Sequence, residues 1–442
     1  MTTRRWCLTL VTFLVTAAVT AVQADELPAA PPELAEFIAA PDDSSAWQLI
    51  DSPTFNGRLV HRIELTSQTW HEIVWKHALL LCEPAELSRP DSMLLFITGG
   101  RIGQVPGERE AAFGQALADA CGARVAMLHQ VPNQPLLGDR FEDDLITDTW
   151  LRYLESGDAT WPLLFPMVKS AVRAMDALQD FSLRQLKTPV RSFVVSGASK
   201  RGWTSWLAAA ADPRIIGIAP MVIDVLNFPE QMQHQKATWG FYSEQITDYT
   251  SKGLVREDGI PREGREAHLW KMMDPFSYRR QLALPKLLVV GANDRYWTVD
   301  AMNLYWDDLP GGKHIHRVPN AGHSLEGGRD GAIRAVGAFF RQLTSGQPLP
   351  PMSWKWQIRN QTLEMSIDSE EQGVSAQLWT ATSATADFRE SEWTASDMQR
   401  GQDGSWKISL PVTADRKTAF FGTVEFDFEG LKYSLATLAH WK

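Results

Sequence analysis

Three side chains, in a fixed order along the chain, could do chemistry together. In Val194-Val195-Ser196-Gly197-Ala198-Ser199-Lys200-Arg201-Gly202-Trp203 an apolar, strand-like run enters Gly-x-Ser and passes directly into a helical pattern. A sharp strand-to-helix turn of this kind presents a serine hydroxyl at a helix N-terminus, where unpaired N–H groups favour a developing oxyanion. Small residues must flank Ser199, because the turn is tight and the helix packs close on the strand. The common pattern has glycine two residues after the serine. Here Arg201 stands there and Gly202 follows. The alternative reading is a structural serine in a tight turn.

A serine nucleophile needs a base and an acid that orients it, in the chain order Ser, Asp/Glu, His for this topology. Leu287-Leu288-Val289-Val290-Gly291-Ala292-Asn293-Asp294 places Asp294 in the loop after an apolar strand. Val318-Pro319-Asn320-Ala321-Gly322-His323 places His323 in the loop after the next one. His323 would take the Ser199 proton, and Asp294 would hold its tautomer and stabilise the imidazolium. Asp224 and Asp300 are rival acids, and His129 is a rival base. Oxyanion donors are expected from the backbone N–H of Lys200 and from Gly100 or Arg101, in Thr98-Gly99-Gly100-Arg101. The Lys200 ammonium is a candidate for extra positive charge there. Glu142, Trp239 and Trp297 are candidate substrate-binding residues, although Glu142-Asp143-Asp144 reads equally as a solvated or capping run. The chain has no G-x-G-x-x-G and no G-K-[ST]. Neither His71 with His77 nor His314 with His316 has a third ligand at metal spacing. No cofactor or metal is expected.

The elements that must hold these residues alternate. Strands are predicted over 58–66, 71–81, 93–97, 124–129, 190–195, 215–223, 286–290 and 314–318. Helices are predicted over 111–120, 163–178, 200–211 and 332–343. Strand–helix alternation after two hairpin-like strands predicts an α/β-hydrolase fold: a mostly parallel sheet with antiparallel N-terminal strands. Residues 228–280 break the alternation and predict a helical lid insertion over the C-terminal ends of the strands. After Pro350-Pro351 the texture changes to short alternating runs, which predicts a small all-β, sandwich-like domain. Residues 25–345 thus form the expected catalytic domain and 350–442 the C-terminal one. Cys82 and Cys121 fall at one edge of this expected sheet, which admits a disulfide in an oxidising compartment.

Composition narrows the partners. The chain of 442 residues carries a net charge of −10 and no basic tract, which excludes nucleic acid as an expected partner. Arg4-Arg5, an apolar run and Val22-Gln23-Ala24 read as a cleaved export signal over residues 1–24, by the ordinary or the twin-arginine route. Its removal takes away two positive and no negative charges and leaves −12. An exported protein, periplasmic or secreted and without stable membrane insertion, is expected. Tryptophan is in excess, 18 against 7 tyrosines. Most of these read as core, but Trp354, Trp356 and Trp393 in the C-terminal region could instead bind glycans.

Several stretches together resemble the PhoPQ-activated pathogenicity-related protein family. They are Gly197 to Trp203, Asp212-Pro213-Arg214, Ala219 to Asn227, Val131-Pro132-Asn133-Gln134-Pro135, Glu142 to Ile146 with Thr149-Trp150, and Trp161 to Asp176. Leu378-Trp379 and Asp387-Phe388-Arg389 extend the likeness into the C-terminal region. The resemblance implies an exported α/β-hydrolase-like protein with Ser199, Asp294 and His323 as its site, from a family linked to resistance to host antimicrobial peptides. The expected function is an exported serine hydrolase acting on peptides, with cationic antimicrobial peptides as candidates. Alternatives are a carbohydrate or other carboxylic ester hydrolase, and a non-catalytic binding or signalling protein on the same scaffold.

Overall fold

The computed structural model describes residues 28–369 and 373–442. The expected signal segment lies outside the described residues. Nine strands form the hydrolase part of the main sheet: β1 (Ala46–Asp51), β2 (Arg58–Trp70), β3 (Ile73–Cys82), β4 (Ser92–Ile97), β5 (Val125–Leu128), β6 (Ser192–Ala198), β7 (Ile215–Met221), β8 (Lys286–Gly291) and β9 (Lys313–Val318). Their order is β1-β2-β3-β5-β4-β6-β7-β8-β9. The pairs up to β3–β5 are antiparallel, and every pair from β5 to β9 is parallel. β4 is buried at all six positions and β5 at all four, as central parallel strands covered on both faces must be.

Helices cover both faces. α2 (Glu108–Cys121) and α9 (Arg329–Thr344) share one core with the sheet, while α4 (Leu164–Phe181) and α5 (Lys200–Ala211) share the other. The strand expected from His71 instead starts at Ile73. His71 and Glu72 have φ of 44° and 65° and form the hairpin turn between β2 and β3. The acidic run at 142–144 opens α3 (Glu142–Ser156), where carboxylates suit the positive end of the helix. Residues 228–280 carry α6 (Phe228–Trp239), α7 (Thr247–Ser251) and α8 (Gly264–Met273).

The C-terminal strands are β10 (Met352–Arg359), β11 (Thr362–Ser369), β12 (Ser375–Ser383), β13 (Thr394–Asp397), β14 (Trp406–Pro411), β15 (Lys417–Phe428) and β16 (Leu431–Ala436). β10, β11 and β14 belong to a separate antiparallel sheet. β16, β15, β12 and β13 continue the hydrolase sheet beyond β9, through the antiparallel pair Ile315 and Ala436. One sheet of the sandwich is therefore an extension of the main sheet. Trp393 is 2% exposed and packs on Phe421, and Trp356 packs on Phe420 and His440. Both serve the core of this region.

The disulfide is not formed: Cys82 and Cys121 are free and buried. The Cys82 thiol sits under Ala111 and Gly114, and a Cβ on Gly114 would come within 2.6 Å of its sulfur. Cys121 lies seven residues further along the same helix. That is about 10 Å of helix rise from the glycine that covers Cys82. Burial pushes both thiols up to about 12.

Candidate active site

Ser199 sits between β6 and α5 with φ 57° and ψ −126°, a conformation that non-glycine residues rarely adopt. The glycines around it explain how the turn is held. A Cβ on Gly197 would lie 2.8 Å from the Arg201 carbonyl, and one on Gly202 would lie 2.8 Å from the Gly197 oxygen and 2.6 Å from Ile223. The second glycine is thus needed at position 202, where α5 crosses the strand ends. Position 201 is free to carry a long side chain.

Arg201 uses that freedom. Its Nε donates to the Val131 carbonyl at 2.6 Å, and its two Nη atoms clasp Glu142 at 2.7 and 2.8 Å. The guanidinium lies beneath Gly99, where a Cβ would come within 2.6 Å of it. Gln134 also donates to Glu142 at 2.6 Å. Burial opposes the Glu142 charge, but Arg201, Lys200 and Gln134 outweigh it and bring the carboxyl down to about 2. Glu142, expected as a substrate contact, is bonded to Arg201 of the elbow helix and to Gln134 in the loop after β5. Lys200 directs its ammonium to Asp143 at 2.9 Å and Glu142 at 3.4 Å, so its charge is already paired.

The acid and base loops leave neighbouring strands. Gly291 lets them approach, since a Cβ there would lie 2.4 Å from the carbonyls of Ala321 and Gly322. His323 Nε2 is 2.9 Å from Ser199 Oγ, and its Nδ1 is 2.8 Å from Asp294 Oδ2. With Nδ1–H donating to the carboxylate, Nε2 is left to accept from the serine hydroxyl. Asp294 is 6% exposed, and its other oxygen accepts from the Tyr296 N–H at 3.0 Å. The Tyr296 ring covers His323 at 4.5 Å.

Ser199 and His323 make their bonds with each other and with Asp294, not with the rival residues. Asp300 bonds His234 and Trp441, both at 2.9 Å. Asp224 is buried, with its carboxyl raised to about 7 by burial. His129 is buried and lowered to about 4, again by burial. Among the expected oxyanion donors, the Arg101 N–H faces Gln104 Oε1 at 3.3 Å. Gly100 takes φ 126°, a value open mainly to glycine. Lys200 is the first residue of α5, so its N–H has no partner within the helix.

A cavity of about 40 Å³ adjoins Ser199 and His323. Its walls are mainly apolar and aromatic: Trp203 from the elbow helix, Phe228, Met232 and Trp270 from the lid, and Trp297 beside the acid. Tyr249 closes one side and donates to Asp143 at 3.1 Å. Burial pushes the phenols of Tyr249 and Tyr296 up, so both remain neutral hydroxyls. Of the three expected substrate contacts, Trp297 lines this cavity. Trp239 lies outside its lining, under the Arg389 guanidinium at 4.3 Å. Sequence reasoning named Asp143 only as part of the acidic run and missed Tyr249 and Tyr296. The only signal for Tyr296 was its place two residues after the acid. Among the described residues no group of three or more His, Cys, Asp or Glu could hold a metal ion.

The strand order, the elbow and the Ser, Asp, His sequence of loops define an α/β-hydrolase fold. The model of the PhoPQ-activated pathogenicity-related protein family matches residues 34–389, and the chain belongs to that family. It is 31% identical over 433 residues to the autocrine proliferation repressor protein A of Dictyostelium discoideum, covering 89% of this chain and 85% of that one. Among solved structures it is similar to acetyl xylan esterase 1 from Thermoanaerobacterium sp., with 15% identity, 71% of this chain and 95% of that chain covered, and a TM-score of 0.47. It is also similar to a glucuronoyl esterase from Solibacter usitatus, with 13% identity, 71% and 91% coverage, and a TM-score of 0.45.

Proposed function

We propose that this protein is a serine hydrolase that transfers an acyl group from a carboxylic ester or a peptide to water through Ser199. The observation that carries this is the unbroken chain from Ser199 Oγ to His323 to Asp294, at 2.9 and 2.8 Å. His323 takes the hydroxyl proton as Ser199 attacks the acyl carbon, then returns it to the leaving group. A water repeats the sequence in reverse to free the acid. The N–H groups of Lys200 and Gly100 are the proposed oxyanion donors. Removing one such donor typically costs about 10² to 10³ in rate. The cavity beside Ser199 is lined mainly by apolar and aromatic side chains, which favours an apolar acyl group.

Peptide and ester cleavage share the acylation step and differ in the leaving group. The peptide reading expected from sequence, with cationic antimicrobial peptides as candidates, and the ester reading both remain proposals, as does export. The likeness to a protein named as an autocrine proliferation repressor supports a second reading: a signalling protein that keeps a hydrolase scaffold without turnover. A fluorophosphonate probe separates the two. The folded protein is expected to label at Ser199, and Ser199→Ala is expected to abolish both labelling and turnover across a panel of short-chain esters and peptides. Wild-type protein that neither labels nor turns over would establish the second reading.

A further inference from the structure

We propose that residues 387–393 of the C-terminal region are a clamp that positions Asp294 and His323, acting through Asn293 and Asn320. The proposal rests on the triad reading above. Asn293 immediately precedes the acid, and its side-chain amide faces three carbonyls of the segment: Phe388 at 3.2 Å, Arg389 at 3.3 Å and Ser391 at 2.7 Å. Asn320, three residues before the base, makes a two-point pairing with Trp393. Its Nδ2 donates to the Trp393 carbonyl at 2.8 Å, and its Oδ1 accepts the Trp393 N–H at 2.7 Å. One short segment thus holds the two loops whose spacing sets the His323–Asp294 contact.

The segment is itself anchored. Trp393 is 2% exposed and its ring packs on Phe421 at 4.8 Å. Arg389 is fixed by Asp387 at 2.7 Å and reaches Glu244 of the lid at 2.9 Å. It also stands over the rings of Trp239 and Phe241 at 4.3 and 5.4 Å. Arg295, next to the acid, completes the link by bonding Glu244 at 2.7 Å and pairing with Glu390. Acid loop, base loop and lid all meet this segment. Without it, the two loops are tied to each other by the His323–Asp294 contact itself and by backbone bonds such as Asn293 N–H to the Ala321 carbonyl at 2.9 Å. A displacement of about 1 Å in a catalytic group can cost about 100-fold in rate.

The test uses full-length Asn293→Ala, Asn320→Ala and Asn320→Asp, with Lys407→Ala as a distant surface control in the same region. On an ester that the wild type cleaves, the alanine variants are expected to lose about 10- to 100-fold in kcat, with KM within about twofold. Asn320→Asp keeps the acceptor for Trp393 and should fall between them and wild type. Lys407→Ala should match wild type. The downfield proton resonance of His323 Nδ1–H is a second readout that needs no substrate. It should be broadened or lost in the alanine variants at a temperature where circular dichroism shows them folded. Folded variants with wild-type kcat and an unchanged resonance would overturn the clamp. If the wild type cleaves nothing and does not label, the hydrolase reading fails instead, while the resonance still decides whether the segment positions the histidine.

Discussion

At the residue scale, the site depends on charge pairs that hold backbone in place. Arg201 occupies the position where the common elbow has glycine, and its three guanidinium nitrogens each donate one bond, Nε to Val131 and the two Nη to Glu142. The Glu142 carboxyl lies below its usual value of 4.5, at about 2, so its contribution to stability is complete above about pH 4.5 and is lost as pH falls towards 2. Glu142→Gln should therefore melt below wild type at pH 7, by about 1 to 2 kcal/mol once solvent screening is counted. The gap should close progressively between pH 4.5 and 2. Thermal melts of both proteins across that range check this, and a gap independent of pH would contradict it. The motif around Ser199 made the strand-to-helix elbow legible, because the requirement for small residues at a tight turn is local. The partners of Arg201 were not legible. They lie about 60 to 70 residues away in sequence, and nothing in their own neighbourhood records the pairing.

At the element scale, the helices of 228–280 form part of the wall beside Ser199. α6 and α8 contribute Met232 and Trp270 to the apolar wall of the cavity beside Ser199. Met232→Ala removes one wall atom group from the lid helix. It should raise kcat/KM for butyryl or longer acyl esters about 10-fold relative to acetyl esters, as expected for a few methylenes in an apolar pocket. A chain-length series on wild type and variant checks this, and an unchanged ratio would exclude this wall as the determinant. The break in alternation at 228–280 was visible because strand periodicity stops there. Which lid side chains face the serine was not, since the helices of 228–280 carry polar and apolar residues on several faces. The strand expected over 71–81 is present but starts at Ile73, for a local reason. His71 and Glu72 adopt left-handed conformations that their residue types do not announce, and so become a turn.

At the scale of the whole molecule, the C-terminal region is built into the rest. β16 pairs with β9, and Leu363, Trp406 and Phe420 share a core with Val194, Leu287 and Phe339 of the hydrolase part. Full-length protein should therefore unfold in a single calorimetric transition. A chain ending near residue 345 should melt well below it or aggregate, because β9 would expose an unpaired edge and an apolar face. Two separate transitions in the full chain would argue against this. By itself the sequence determined the strand and helix alternation, the elbow, and the order of serine, acid and base. These rest on periodicity and turn chemistry, which act over a few residues. Only the tertiary structure decided that the cysteines stay apart, that Glu142 pairs with Arg201 and Gln134, and that the C-terminal segment bonds Asn293 and Asn320 beside the acid and the base. Each of these depends on where distant parts of the chain meet, and packing, not local pattern, sets that.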